Sequence, residues 1–216
     1  MENYQSIWQK YTKSKEDLTL EEYQSLQLEI AYLKKQLSTQ SKLIKQSKSE
    51  AHQDSLTQLW NRRKFTQDLE KVIQYNNRYG RKSGIFFIDL NQFKAINDTL
   101  GHLAGDKVLQ HVSNILSNYC RLTDEVYRLG GDEFVIIMPE SNIDIISNKC
   151  KQLEVLIENT PCIYKGQEVN LSASIGTCIV DGIITKEQVL ENADKQMYQT
   201  KQLHHDTMAQ KVRLVS

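Results

Sequence analysis

The stretch Arg128-Leu129-Gly130-Gly131-Asp132-Glu133-Phe134 restricts the fold of this chain more than any other. Asp124 to Leu129 has strand composition, and Phe134-Val135-Ile136-Ile137-Met138 is an apolar run closed by Pro139, so two strands are predicted to meet at a tight turn. Paired glycines there permit positive φ and leave the backbone amides open to a bulky anion, because no Cβ covers them. Asp132 and Glu133 lie at the tip. Carboxylates beside bare amides suit a metal-complexed phosphate, since the cation offsets the repulsion between the two kinds of anion. Ordinary turn chemistry with a solvated Glu133 is the competing reading of the same residues.

A length of 216 residues accommodates one full domain and a small accessory segment. Lys+Arg and Asp+Glu are both 27, giving net charge +0, so no basic excess recommends nucleic acid as a partner and anion binding has to be local. Cys120, Cys150, Cys162 and Cys178 show no C-x-x-C spacing and no nearby paired histidines, which points to reduced, mostly buried thiols. The amino terminus is polar and no apolar run reaches membrane-spanning length, so the expectation is a soluble, cytoplasmic protein with no membrane partner.

Residues 1–53 contain neither Gly nor Pro. A heptad runs through them from Tyr23, with Tyr23, Ile30, Leu37, Ile44 and Ala51 in one column and Leu26, Leu33, Gln40 and Ser47 in the other. This predicts a helix from about Thr19 to Gln53 that pairs with its own copy, after a shorter helical piece carrying Ile7, Trp8 and Tyr11. A single helix folded back on the globular part is the alternative, and the narrow two-column strip favours the homodimer. The chain is thereby divided into a helical segment, 1–53, and a globular domain, 54–216.

Phe65, Leu69, Val72 and Ile73 recur at helical spacing up to Tyr79-Gly80. Ser83 to Leu90 reads as a buried strand whose apolar run is interrupted by Asp89, a carboxylate that is costly to bury unless paired or metal-bound, and Asp89 is a ligand candidate on that ground. Asn91 to Asp106 is expected to be a short polar crossing, followed by an amphipathic helix presenting Val108, Leu109, Val112, Ile115, Leu116 and Tyr119. Gly101 to Lys107 does not match a phosphate-loop pattern. Beyond the hairpin, Ile143 to Ile157 is helical, Cys162-Ile163-Tyr164 and Val169 to Val180 are β runs turning at Lys165-Gly166, and Ile184 to Gln202 is the last helix. Lys201 extends its inward stripe of Val189, Leu190, Ala193 and Met197, and residues 211–215 could close the sheet. The order β-α-β-β-α-β implies an α/β (α+β) domain with a mixed, mostly antiparallel sheet flanked by helices.

Spaced motifs then agree in order: Asp-Ser-Leu-Thr-Gln-Leu-Trp-Asn-Arg-Arg at 54–63, Asp89 to Asp106, Gly130 to Phe134, Ser174-Ile175-Gly176, and Ala193-Asp194-Lys195-Gln196-Met197-Tyr198. Over roughly Asp54 to Lys201 the sequence resembles the GGDEF domain of bacterial diguanylate cyclases, with the heptad helix outside the match. The resemblance implies a fold like the nucleotide-polymerase palm and the joining of two GTP molecules into cyclic di-GMP with release of two pyrophosphates. It implies Mg²⁺ (or Mn²⁺) held by Asp89, the Leu90 carbonyl, Asp132 and Glu133, with Asp132 as proton acceptor and Lys94 as phosphate contact. Asn97, His102, Asp106, Lys201 and the amides of Gly130 and Gly131 correspond to substrate-binding positions, Asn97 and Asp106 meeting the guanine edge.

Guanine offers two donors, N1–H and the N2 amine, which one carboxylate accepts together, so an acid at Asp106 argues for guanine over adenine. Arg121-Leu122-Thr123-Asp124 stands ahead of Gly130 at the offset of the family's R-x-x-D product-inhibition site, where Arg121 and Asp124 would bind cyclic di-GMP. Asn91 replaces a common second Asp. His204-His205-Asp206 stands where the family often has Gly-Arg-Asn, so triphosphate binding is expected to be weaker and pH-dependent if His205 takes the place of the Arg. The rival class of function is a non-catalytic scaffold that binds GTP or cyclic di-GMP through the Arg121 site and the dimer helix.

Overall fold

The computed structural model describes residues 19–50, 52–181, 183–192 and 195–196, with side chains omitted over 42–50. The chain separates into two units, Met1–Ala51 and His52–Ser216. In the first, helix α1 spans Leu20–Glu50. Its start is a capping box: the Thr19 hydroxyl accepts from the Glu22 amide at 3.3 Å, and the Glu22 carboxylate accepts from the Thr19 amide at 3.0 Å. Leu33 and Leu37 of the heptad columns are 55% and 66% exposed, as a stripe without a covering element has to be. The expected shorter helical piece at Ile7, Trp8 and Tyr11 lies outside the described residues.

The second unit contains strands β1 (Trp60–Asn61), β2 (Ser83–Leu90), β3 (Glu125–Gly130), β4 (Glu133–Met138), β5 (Cys162–Tyr164), β6 (Gln167–Val169) and β7 (Ala173–Val180). Between them run helices α2 (Arg62–Tyr79), α3 (Phe93–Leu100), α4 (His102–Tyr119) and α5 (Ile143–Glu158). Among the described residues, the main sheet has five strands in the order β1-β3-β4-β2-β7. β2 pairs antiparallel with β4 and with β7, β3 pairs antiparallel with β4, and β1 joins β3 in parallel. The mixed, mostly antiparallel α/β architecture expected of the sequence is therefore the one observed.

Period-two alternation assigns the faces. Phe86, Ile88, Leu90, Phe134, Ile136 and Met138 pack with Val108, Val112 and Leu116 of α4 and Ile146, Leu153 and Ile157 of α5. Ile85, Phe87, Tyr127, Val135 and Ile137 pack on the other side with Phe65 and Leu69 of α2 and with Val189. β2, buried along its whole length, is covered on both sides. Asp89 belongs by register to the second face, at the end where the apolar core stops.

Three expectations need correction. Asn91 to Asp106 is not an irregular crossing: it holds α3 and the first turns of α4, joined through Gly101 alone, because Phe93, Ile96 and Leu100 have an apolar surface to pack on. The β run expected from Val169 to Val180 breaks at 170–172; Val169 closes the separate β5–β6 hairpin, and pairing with β2 begins only at Ala173. Of the four thiols, all free, Cys162 and Cys178 are buried while Cys120 and Cys150 are only partly so. Among the described residues, no helix is long and apolar enough to cross a membrane. The expected edge strand at 211–215 falls outside them.

Candidate functional site

The hairpin between β3 and β4 contains a bulge at Leu129, between the paired residues Arg128 and Gly130, and turns through Gly131 at φ 53°. Gly131 occupies the left-handed region that a glycine enters without strain. Arg128 clamps this turn. Its Nη2 and Nε donate to the Gly131 carbonyl at 2.8 and 3.1 Å, and its Nη1 meets Asp54 Oδ1 at 2.8 Å. Asp54 in turn accepts from the Thr57 amide at 2.9 Å and the Thr57 hydroxyl at 2.7 Å. The joint task of these residues as a buttress for the hairpin is visible only in three dimensions.

Burial alone would raise the Asp54 carboxyl; the Thr57 hydrogen bonds and Arg128 outweigh it and hold the group below its ordinary 3.8. A depressed folded-state value contributes stability that is present above the unfolded value and lost as pH falls through the folded one. Asp54→Asn is accordingly expected to cost about 1–2 kcal/mol at pH 7. The gap to the parent should narrow in urea unfolding at pH 3, below the ordinary carboxylate value; a loss of equal size at both pH values would contradict the ionic role.

The end of β2 meets the hairpin directly. Asp89 stands opposite Glu133 on β4 and opposite Ser174 on β7, and the Leu90 amide donates to the Asp132 carbonyl at 3.4 Å. Asp89 is 6% exposed, and Asp132 and Glu133 are half-buried. Asn91 continues this edge, its Oδ1 accepting from the Ser174 hydroxyl at 2.8 Å and its Nδ2 donating to Ser172 Oγ at 3.2 Å. Carboxylates and a backbone carbonyl are hard oxygen donors that fit Mg²⁺ or Mn²⁺.

Among the described residues, no three acidic, His or Cys side chains form a ready-made metal cluster. Glu133 is drawn to Arg62 at 3.2 Å, whose Nε also donates to the Leu129 carbonyl at 3.0 Å. The contact from Arg62 was not foreseen in the sequence; Arg62 is 64% exposed on its side chain and still reaches the acid.

The remaining predicted substrate residues gather on the α3–α4 corner. Lys94 and Asn97 belong to α3, and His102 and Asp106 to the first turns of α4. Gly101, at φ 85°, serves as the end of one helix and the start of the next, its amide donating to the Asn97 carbonyl at 2.9 Å. The corner therefore turns without an intervening loop. Asn97 is half-buried, whereas Lys94, His102 and Asp106 are exposed. Lys201 and His205 lie outside the described residues.

Arg121 and Asp124 form a closed turn, with the Arg121 amide on Asp124 Oδ2 at 2.9 Å and the Asp124 amide on the Arg121 carbonyl at 3.0 Å. They line an open groove of about 490 Å³ with Leu59, Trp60 and Cys120. This turn precedes β3, and the Gly130 hairpin ends it, so roughly 17 Å of strand separates the two. The pair at 121 and 124 is a place apart from the carboxylates, not an extension of them.

A three-layer domain with carboxylates at the junction of a central strand and a glycine hairpin is an arrangement suited to metal-assisted phosphoryl chemistry. The family profile described as "Diguanylate cyclase, GGDEF domain" matches residues 51–207, and the chain belongs to this GGDEF-domain family. It is 32% identical over 165 residues to diguanylate cyclase DgcP of Pseudomonas aeruginosa, covering 76% of this chain and 25% of that one. It is 34% identical over 153 residues to diguanylate cyclase DosC of Escherichia coli, covering 70% of this chain and 33% of that one. The chain thus spans a quarter to a third of the length of these relatives. The crystal structure of the coiled coil and GGDEF domain of DgcB from Caulobacter crescentus, in complex with c-di-GMP, superposes with a TM-score of 0.75 at 23% identity, covering 82% of this chain and 95% of that one. That likeness concerns the fold.

Proposed function

We propose that the protein is a diguanylate cyclase, condensing two GTP into cyclic di-GMP with release of two pyrophosphates, and that it works as a homodimer with divalent-metal dependence. The observation that carries this reading is the pairing of Asp89 with Glu133 beside the Asp132 turn, at the end of an otherwise apolar central strand. Asp89, the Leu90 carbonyl, Asp132 and Glu133 would hold Mg²⁺, which when bound neutralises the triphosphate and acidifies the attacking hydroxyl. Asp132 takes the proton that the ribose 3′-hydroxyl loses as its oxygen bonds to the α-phosphorus of the second GTP and pyrophosphate leaves. Lys94 supplies positive charge to the phosphates, with Lys201 as a second cation. The bare amides of Gly130 and Gly131 approach them closely.

Asn97 and Asp106 read the guanine edge, and His102 lies alongside. Each domain holds one GTP, so bond formation needs two copies face to face, and the heptad stripe of α1 is the means of pairing them. The direct test is to incubate the purified chain with GTP and Mg²⁺ and identify the product by mass spectrometry. Cyclic di-GMP is expected; intact GTP at the end of a long incubation would favour the scaffold reading.

Product feedback through Arg121 and Asp124 is part of the proposal. The guanidinium grips phosphate or a guanine face, and the groove beside it has room for a planar base against Trp60. Arg121→Ala is expected to weaken inhibition by added cyclic di-GMP at least about tenfold, since charge-assisted pairs to anions are worth about 1.5–3 kcal/mol. Initial rates without product should be unchanged. Equal sensitivity in variant and parent would refute the site.

A further inference from the structure

Gly105 lies inside α4, buried, one residue before Asp106. It is not at positive φ, so nothing in the backbone requires a glycine, and a helix interior disfavours glycine relative to alanine. Space explains the residue. A Cβ built at Gly105 would stand 2.0 Å from Asn97 Oδ1, 2.9 Å from Asn97 Cγ and 3.1 Å from Phe93 Cζ. The carboxamide of Asn97 therefore occupies the volume that any other residue at 105 would fill.

We propose that Gly105 is a positioning residue for base recognition: the missing Cβ forms a notch in α4 that seats the Asn97 carboxamide beside Asp106, and this seating sets affinity and selectivity for guanine nucleotides. The inference rests on the assignment of Asn97 and Asp106 to the guanine edge. An amide and a carboxylate read a base as a pair only if their separation is held, because guanine presents its donors at fixed spacing in one plane. Asp106 is fixed by the helix that carries it. Asn97 comes from a different and much shorter helix, with no buried residue of its own, and needs a seat. Gly105 supplies one and Phe93 forms its wall. A methyl group at 105 has to expel the carboxamide or push α3 away, and either displaces one half of the base-reading pair.

The test is a double-mutant cycle of parent, Gly105→Ala, Asn97→Ala and the double variant, read by thermal unfolding without nucleotide and by calorimetric binding of a GTP analogue with a methylene bridge between its α and β phosphates. Gly105→Ala is expected to lower the melting temperature of the parent by about 5 °C, yet to leave unchanged or raise that of Asn97→Ala, where the carboxamide is gone and the Phe93 ring has only to give slightly at its tip. Gly105→Ala should weaken analogue binding about tenfold or more, to the level of Asn97→Ala, with no further loss in the double variant. Additive effects on melting temperature would overturn the notch, and undiminished binding by Gly105→Ala would overturn its role in recognition. A coupled thermal cycle in a parent that binds no guanine nucleotide would instead overturn the base-site assignment, leaving the steric contact standing.

Discussion

Asp132→Ala is expected to lower cyclic di-GMP formation by at least about a thousandfold, the scale set by loss of the metal ligand and proton acceptor proposed for this side chain. Asp132 sits in a two-residue turn and is only half-buried, and the turn is held by Arg128 on the Gly131 carbonyl rather than by the Asp132 side chain. The variant should therefore keep its fold, which far-ultraviolet circular dichroism and an unchanged melting temperature would show. Asp132→Asn, the same shape without the charge, should be nearly as inactive. Initial rates from either variant within tenfold of the parent would remove Asp132 from the chemistry. Asp89→Asn should be similarly inactive and also alter stability, because Asp89 is buried between β4 and β7.

Removing residues 1–50 is expected to reduce turnover per domain by about a hundredfold or more at micromolar protein. Under the proposed pairing, tethering would hold the second half-site at an effective concentration of about millimolar, an advantage that untethered domains lose. Rates should then rise with the square of protein concentration, whereas the full chain's should rise linearly. Fusion of an unrelated parallel two-stranded coiled coil in place of α1 should recover most of the loss. The heptad residues Leu33 and Leu37 are exposed in α1, as the proposed self-pairing requires. Unchanged turnover in the truncated protein would separate the helix from catalysis.

Much of this was legible before any coordinates. The eight residues of β2 were delimited by composition, since a run enclosed on both faces has no polar alternation to blur its ends. The hairpin was equally plain, because paired glycines between apolar runs leave few alternatives. The α3–α4 corner was missed for the converse reason: α3 is eight residues long with none fully buried, so its polar surface reads as loop, and only the joint at Gly101 reveals a second helix. The break at 170–172 was missed because Val169, Leu171 and Ala173 alternate smoothly through it while the hydrogen bonds change partner from one sheet to the other. Of the candidate site, the acids were proposed from their residue types at a strand end and a turn and Lys94 from the family resemblance, but the supports were not legible. Arg62 on Glu133 and Arg128 on Asp54 join positions 71 and 74 apart, and no local pattern records such pairs.

The sheet order has a kinetic corollary. β2 lies between strands that arrive much later in the chain: Phe86 faces Ile136 on one side and Thr177 on the other. Enclosing it means closing loops of roughly 50 and 90 residues, so the molecule cannot acquire its central ladder until the polypeptide has been made through β7. During ribosomal synthesis, the β3–β4 hairpin can form early while β2, a strand buried along its whole length in the finished fold, waits unpartnered; that interval is when the nascent chain is most exposed to self-association and most dependent on chaperone shelter.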